Sequence, residues 1–446
     1  VLTDALTTVR RPRDVRLDSL TGLMPLYAAT LDPENVYAAL RAEWGSVAAV
    51  ELSDGVPAWL ALDWSDALRV VRERNNFTRE VKRWRAFQNG QVKPGTGLHA
   101  FFSDRDNAYY SDGADHTRRR AVVDDAFAQV DESALRRDMQ WVCDRMLAHI
   151  VKDGATTADL VPTYTQFVPS LAVAAMYGLG ADDAGVMGQY ARDIFSNTAA
   201  AGPAFVGLNT MLETLIRERE RNPGHDLLSA IVLWRDPRTG TGLTDTELLD
   251  TAQMIQSAGH EMSVAWVTMA LVYLLSDNDF DGRVRGGRLG IDEALDAVLV
   301  NSSPVWNTPA RFATADIEIG SVLNDNNVDI GGRFVHDGEA VVAAAAEATA
   351  SVHRGVDPVW SGTSRASLAF GASGPHHCPA QRISRIIVKA SVEAVLHRMP
   401  GLTLTVPADQ LGTSLSLWAR SASSLPVSFD PVTGYEETWA RMGASQ

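Results

Sequence analysis

Cysteine is almost missing from this chain: its 446 residues hold two, Cys143 and Cys378. So few, and so placed, exclude a disulfide framework and argue against an oxidising compartment. Long apolar runs are missing from the first residues too, so neither a signal peptide nor a membrane anchor is expected, and the cytoplasm is. No internal repeat, low-complexity stretch or Ser/Gly/Pro linker divides the sequence, which therefore reads as one continuous domain over residues 1–446. Positive charge is the scarcer sign, 40 Lys and Arg against 55 Asp and Glu, for a net charge of −15. That balance speaks against nucleic acid as a general partner.

What the chain does have is enough apolar mass to enclose a cofactor, 46% hydrophobic residues against 21% charged. The fold class it predicts is mainly α with a minor β region. A β-rich start lies at about 47–62, where two apolar runs flank Asp54-Gly55 as in a hairpin. Apolar periodicity then predicts helices over 64–73, 114–128, 133–152, 162–178, 182–197, 203–221 and 244–276, with weaker ones at 291–300 and 380–398. Strand-like segments return at 316–320 and 333–335, around the Asn/Asp-rich stretch 324–327, and in the tail from Thr403 to Phe429. Cys143 sits in a helical run and reads as a packing residue.

Cys378 has a richer setting: Phe370-Gly371-Ala372-Ser373-Gly374-Pro375-His376-His377-Cys378-Pro379-Ala380. A Gly-rich loop runs into the cysteine, and Ile383, Ile386, Ile387, Ala390 and Ala394 then recur at helical spacing, so a helix is expected to start at the cysteine with Pro379 in its first position. The positive end of that helix favours a thiolate. Gly371 and Gly374 are expected to let backbone N–H groups approach the sulfur. A thiolate so prepared reads as a haem ligand.

The run resembles the signature of the cytochrome P450 superfamily, Phe-Gly-x-Gly-x-His-x-Cys, and the likeness extends over nearly the whole chain. It implies the P450 fold, with haem b held between a long central helix (about 244–276) and the cysteine-bearing loop and helix (about 370–398). Cys378 would be the axial ligand of the iron, with Phe370, Gly371 and Gly374 shaping the loop. Phe370 stands one position further from the cysteine than in the family, which implies a residue inserted near Ala372-Ser373.

Two more segments join the resemblance. Thr244-Asp245-Thr246-Glu247 is a capping box that opens the central helix. In its middle, Ala258-Gly259-His260-Glu261-Met262-Ser263 resembles the family's oxygen-binding segment, where small residues leave room for dioxygen and an acid and an alcohol relay protons. Met262 stands where the family usually has threonine, and Ser263 offers its hydroxyl one residue later, turned by about 100° around the helix. His116 and Arg120, four apart on one helical face, are expected to hold one haem propionate together, and Arg311 and His376 to complete the clamp.

Other departures are as specific. The family's Glu-x-x-Arg pair aligns with Ala297 and Val300, so both charges are absent, as in a minority of actinobacterial members. The stretch from Gly320 to Gly332 is longer than usual and is expected to border the haem and substrate pocket. Arg118, Arg119, Arg382, Arg385 and Lys389 would form a basic face for an acidic ferredoxin served by a ferredoxin reductase, since the chain has no flavin or iron–sulfur segment of its own. Trp84, Phe87, Phe101, Phe102, Gln256 and His260 are the expected substrate contacts. Two readings follow: a haem-thiolate monooxygenase of secondary metabolism that oxidises an apolar or aromatic small molecule, or a degenerate member with weak or no haem binding that acts as partner or activator of another enzyme.

Overall fold

The structure is a computed structural model that describes residues 11–434 apart from 54, 196–198, 325 and 355–365. Helices make up most of it, and the longest, the central helix Asp245–Ser276, starts where its caps dictate. Thr244 Oγ1 accepts from the Glu247 backbone N–H at 3.2 Å, and Glu247 Oε2 accepts from the Thr244 N–H at 3.0 Å. Beyond that point no proline interrupts the run. The helix packs on Val168–Met176, Ala201–Arg221, Ile291–Asn301 and the ligand helix Gln381–Arg398. It is the one described helix apolar and long enough to cross a membrane, and its buried core-facing side accounts for that composition.

The ends of the other helices show why each segment stops. Residues 162–178 do not form a single helix: a π-type turn, Val161–Thr165, precedes Val168–Met176. Pro169 has no N–H with which to continue the ladder. The ligand helix begins at Gln381, three residues after the cysteine, because Cys378 to Ala380 form a turn and Ala380 is the N-cap, its C=O accepting from Ser384 N at 2.8 Å. Pro379 is therefore outside the helix rather than in its first position.

The β region is one six-stranded sheet and two small ones. In the large sheet Val47–Glu51 and Pro57–Ala61 pair antiparallel, the second strand pairs parallel with Ala340–Ala343, and that strand pairs antiparallel with Arg311–Ala313. Asp54 of the expected turn lies outside the described residues, as does Asp325. The last pairing positions the site: Phe77–Thr78 runs antiparallel to Arg311–Ala313 with Thr78 opposite Phe312, so Arg79 emerges beside Arg311. Strands Ile317–Ile319 and Arg333–Val335 form a hairpin that contains the long stretch 320–332. This hairpin packs beside the start of Val47–Glu51: Ser46 N donates to Ser321 O at 3.1 Å, and Gly45 lies so close that an added Cβ would sit 2.4 Å from that oxygen.

Candidate functional site

The ligand loop is folded on itself by backbone bonds. Gly371 N donates to Leu368 O, Gly374 N to Gly371 O, His377 N to Gly374 O and Cys378 N to Phe370 O, all within 3.0 Å. Ala372 and Ser373 occupy the corners of one turn with φ of 44° and 60°, the left-handed region that favours glycine. The strained pair stands where the family spacing puts one residue too many. Gly374 has no alternative, because a Cβ there would lie 2.2 Å from Val71 O. From outside, Arg72 Nε donates to Ala372 O at 2.6 Å and Arg120 Nη1 to His377 O at 2.8 Å.

These bonds correct two expectations. The Gly371 and Gly374 N–H groups close turns instead of facing the sulfur, and the N–H that reaches Cys378 is that of Ala380. Burial raises the pKa of the Cys378 thiol, against the pull of Ala380 N–H and the charge of Arg120, so the apoprotein fold by itself does not favour the anion. A coordinated metal would deprotonate it. Arg120 is occupied too: besides His377 O, it reaches His377 Nε2 at 3.2 Å and Asp124 Oδ1 at 2.8 Å. It braces the loop and does not point with His116 at a shared carboxylate.

His116, Arg311 and His376 meet beside that loop, and Arg79 joins them through the Thr78 register. The rings of His116 and His376 are 4.3 Å apart between centroids. Asp112, the N-cap residue of Gly113–Ala128, makes no cap bond with its side chain. Its carboxylate instead accepts from Thr78 Oγ1 at 2.8 Å and Arg79 N at 2.6 Å, and pairs with His376 Nε2 at 2.9 Å. Burial works against the Asp112 charge, but these partners outweigh it and hold the carboxyl well below the usual range. Burial, helped by the charges of Arg79 and Arg311, keeps His376 neutral, its pKa well below that of a free imidazole.

One carboxylate does not satisfy this group. Arg79 Nε and Nη1, Arg311 Nε and Nη1, and His116 Nε2 are buried with no hydrogen-bond partner. Burial and the neighbouring Arg79 bring Arg311 down to about 9, the mark of a guanidinium without its counter-ion. Unpaired buried donors of this kind are what two propionates would fill, so the residues present fit haem b. Arg79 and Asp112 were not expected from the sequence. The usable signals were the β-prone Phe77-Thr78 just before Arg79 and an acid four residues before His116.

The central helix faces this cluster with one open side. Ala258 is the exposed residue in the middle of a helix otherwise exposed only at its ends, and Met254, Ser257, Glu261 and Met262 around it are half-buried. Gln256, His260 and Ser263 are buried on the other side. His260 Nδ1 lies 2.7 Å from Ser170 Oγ, to which Gln256 Nε2 donates at 3.2 Å, and Phe195 stacks on the His260 ring at 5.2 Å. Gln256 and His260 thus join two helices and do not line the pocket. Gly259 serves the same contact, since a Cβ would come within 3.2 Å of Val173 Cγ2. Glu261 meets the tail, where Ser416 Oγ donates to its Oε1 at 2.7 Å. Burial raises the Glu261 carboxyl above the ordinary value, and Ser416 partly offsets this.

Ala297 and Val300, where the charged pair is absent, are buried in apolar surroundings on Ile291–Asn301. Two other ion pairs tie that helix to the ligand helix: Asp296 with Arg385, and Asp292 with Lys389 at 2.7 Å. Arg385 also lies over the Trp266 ring at 5.7 Å, and Trp266 meets Phe370 edge-on at 5.6 Å. The remaining cations of the expected basic face are spent as well. Arg118 and Arg119 pair with Glu247, and Arg382 with Glu132. Of the expected substrate aromatics, Trp84 and Phe102 are core residues, the first stacked on Phe312 and the second edge-on to it, whereas Phe101 is half-buried and stacks on Trp418 at 5.1 Å. Phe87, also half-buried, stacks on His99 at 5.5 Å.

A mainly helical chain with a cysteine loop, a cationic cluster and an open-sided central helix defines a haem-thiolate protein, and comparison with known proteins agrees. No protein-family model matches the chain. It is 27% identical over 408 residues to the 2-hydroxy-5-methyl-1-naphthoate 7-hydroxylase of Streptomyces carzinostaticus, covering 89% of this chain and 96% of that protein. It is 28% identical over 402 residues to the cytochrome P450 monooxygenase PikC of Streptomyces venezuelae, covering 89% and 91%. Among solved structures, CYP154C4 from a Streptomyces species superposes with a TM-score of 0.79 at 25% identity, over 93% of this chain and all of that one. PksS of Bacillus subtilis shares the fold at a TM-score of 0.76 and 21% identity, over 90% and 98%. Sequence and fold likeness, each over about nine-tenths of the chain, support the cytochrome P450 superfamily. It is an oxidoreductase of the monooxygenase type with haem b as cofactor.

Proposed function

We propose that this protein folds as one domain and is a cytoplasmic haem-thiolate monooxygenase of secondary metabolism, acting on an apolar or aromatic small molecule with electrons from a ferredoxin and its reductase. The observation that carries the haem reading is the set of buried, unpaired donors on Arg79, Arg311 and His116 beside Cys378. A partner protein without haem would have no use for guanidinia kept buried at such cost, which counts against the degenerate reading. Cys378 would hold the iron, and Arg79, Arg311, His116 and His376 the propionates. Bound there, haem would supply the activation of dioxygen by two electrons. Burial raises the pKa of the Glu261 carboxyl at the open side of the central helix, and Ala258 leaves space beside it.

Phe101 and Trp418 offer the substrate a flat aromatic wall, which supports an apolar or aromatic ligand. The hydroxylase and monooxygenase names of the relatives support secondary metabolism. No flavin or iron–sulfur segment is recognisable in the sequence, which supports a separate electron carrier. Besides the buried Arg120, an exposed cation, Arg72, meets the ligand loop at Ala372 O. The absorption spectrum of the reduced protein with carbon monoxide tests the reading. The thiolate-type Soret band is expected in the wild type and absent in Cys378→Ala; a folded wild-type protein without it would sink the proposal.

A further inference from the structure

The family position for an alcohol next to the helix acid holds Met262, which is half-buried against the sheet-side core. Ser263 does not replace it, because two residues along a helix turn a side chain by about 200°, and Ser263 is buried on the closed side. The hydroxyl that does touch Glu261 comes from far along the chain. Ser416 Oγ donates to Glu261 Oε1 at 2.7 Å and accepts from Trp418 N and Ala419 N, both at 3.1 Å. A hydroxyl has one hydrogen and two lone pairs. With both lone pairs facing amides, its hydrogen has one direction left, toward the carboxylate.

This turn is held in place. Trp306 N and Asn307 N donate to Trp418 O at 2.8 and 3.3 Å, Asn307 Nδ2 donates to Leu417 O at 2.7 Å, and Val305 bridges Ala419. The segment that anchors Ser416 is thus the one that leads into the Arg311 strand. Tyr109, which lies against Arg79, is the titratable neighbour across from Glu261. No charged side chain among the described residues acts on the Glu261 carboxyl, which leaves Ser416 as its polar partner.

We propose that Ser416 is a positioning residue for Glu261, supplying from the tail the hydroxyl that Met262 does not and fixing which carboxyl oxygen carries the proton. With Oε1 taken as acceptor, a proton taken up by the carboxyl would sit on Oε2, the oxygen not bonded to Ser416. The inference rests on the reading of Glu261 as the acid of the pocket. Burial opposes the charged carboxylate, and Ser416 is what favours it. Removing the hydroxyl leaves burial unopposed.

Infrared titration of the haem-loaded full chain tests this, with the Glu261 carboxyl band identified by its loss in Glu261→Gln. Ser416→Ala is expected to move the titration up by about one pH unit, the size of one hydrogen bond to a charged group. Ser416→Thr should restore the wild-type midpoint, which a merely structural loss would not do. Should the alanine variant fail to fold, Ser416→Cys, a weaker donor, should give a smaller upward shift. A midpoint unmoved in Ser416→Ala or Ser416→Cys, or one as displaced in Ser416→Thr as in Ser416→Ala, would overturn the proposal. The carbon monoxide spectrum of the same wild-type sample judges the haem reading separately, since the carboxyl titration does not depend on it.

Discussion

At the scale of single residues the cationic cluster is a trade of stability for binding. Arg311 is buried with Nε and Nη1 unpaired, so Arg311→Met is expected to stabilise the haem-free protein by about 1–2 kcal/mol, as apolar replacement of buried charge often does. The same variant should lose haem about ten to a hundred times faster, the loss of a charge-assisted hydrogen bond. Haem transfer to an apo-globin acceptor, read beside thermal melts without haem, measures both; equal or slower haem loss would remove Arg311 from the clamp. Cys378, His116, Arg311 and His376 stand out in the sequence as candidates because a motif carries each. Arg79, Asp112 and Ser416 were not visible, since their roles depend on strand register and on a tail turn, which no local pattern encodes. Arg120 was visible and misread: its spacing from His116 is helical, but the ligand loop offers it a closer carbonyl.

Among elements, the ligand loop is the most constrained. Ala372→Gly should stabilise by about 0.5–1 kcal/mol, because relief of a left-handed φ exceeds the extra chain entropy of glycine. Gly374→Ala should cost more than that, since its Cβ would meet the Val71 carbonyl. Denaturant titration of both gives the signs, and a stabilised Gly374→Ala would contradict the packing described. The pairs from Ile291–Asn301 to the ligand helix are expected to be coupled: a double-mutant cycle on Asp296→Asn and Arg385→Gln should show about 1 kcal/mol of interaction. Most helices were legible from apolar periodicity, the central one to within a residue or two. Pro33–Trp44 and Ala345–His353 were not, the second because a run of alanines carries no contrast between faces. The range 380–398 fits the ligand helix to within a residue, but the start expected at the cysteine does not, because Pro379 fits a turn as well as a helix start.

Over the whole molecule, acid should loosen the fold earlier than its acidic composition suggests. Burial lowers His260 to about 4 from 6.5, so the folded state binds its proton less well than the unfolded chain does. The stability this represents is complete above pH 6.5 and is lost as pH falls toward 4, by an amount on the order of 3 kcal/mol. Glu247, held low by Arg118 and Arg119 against its burial, adds a second loss below its ordinary value of 4.5 as pH falls toward 2. Thermal melts of wild type and His260→Gln between about pH 7 and pH 4 should converge on acidification; parallel curves would remove His260 from the account. The expected basic face was read from charges in the sequence, but their partners lie on other helices, out of reach of any local pattern.

The pairing of Thr78 with Phe312 has a kinetic side. It joins segments from the two halves of the chain, and neither Arg79 nor Arg311 has its neighbour until that strand pair closes. Contacts so distant in sequence form late, after the helices have condensed. If Arg79 and Arg311 hold haem as proposed, its uptake is a clock for folding: the cofactor is expected to be gripped only when the sheet is complete.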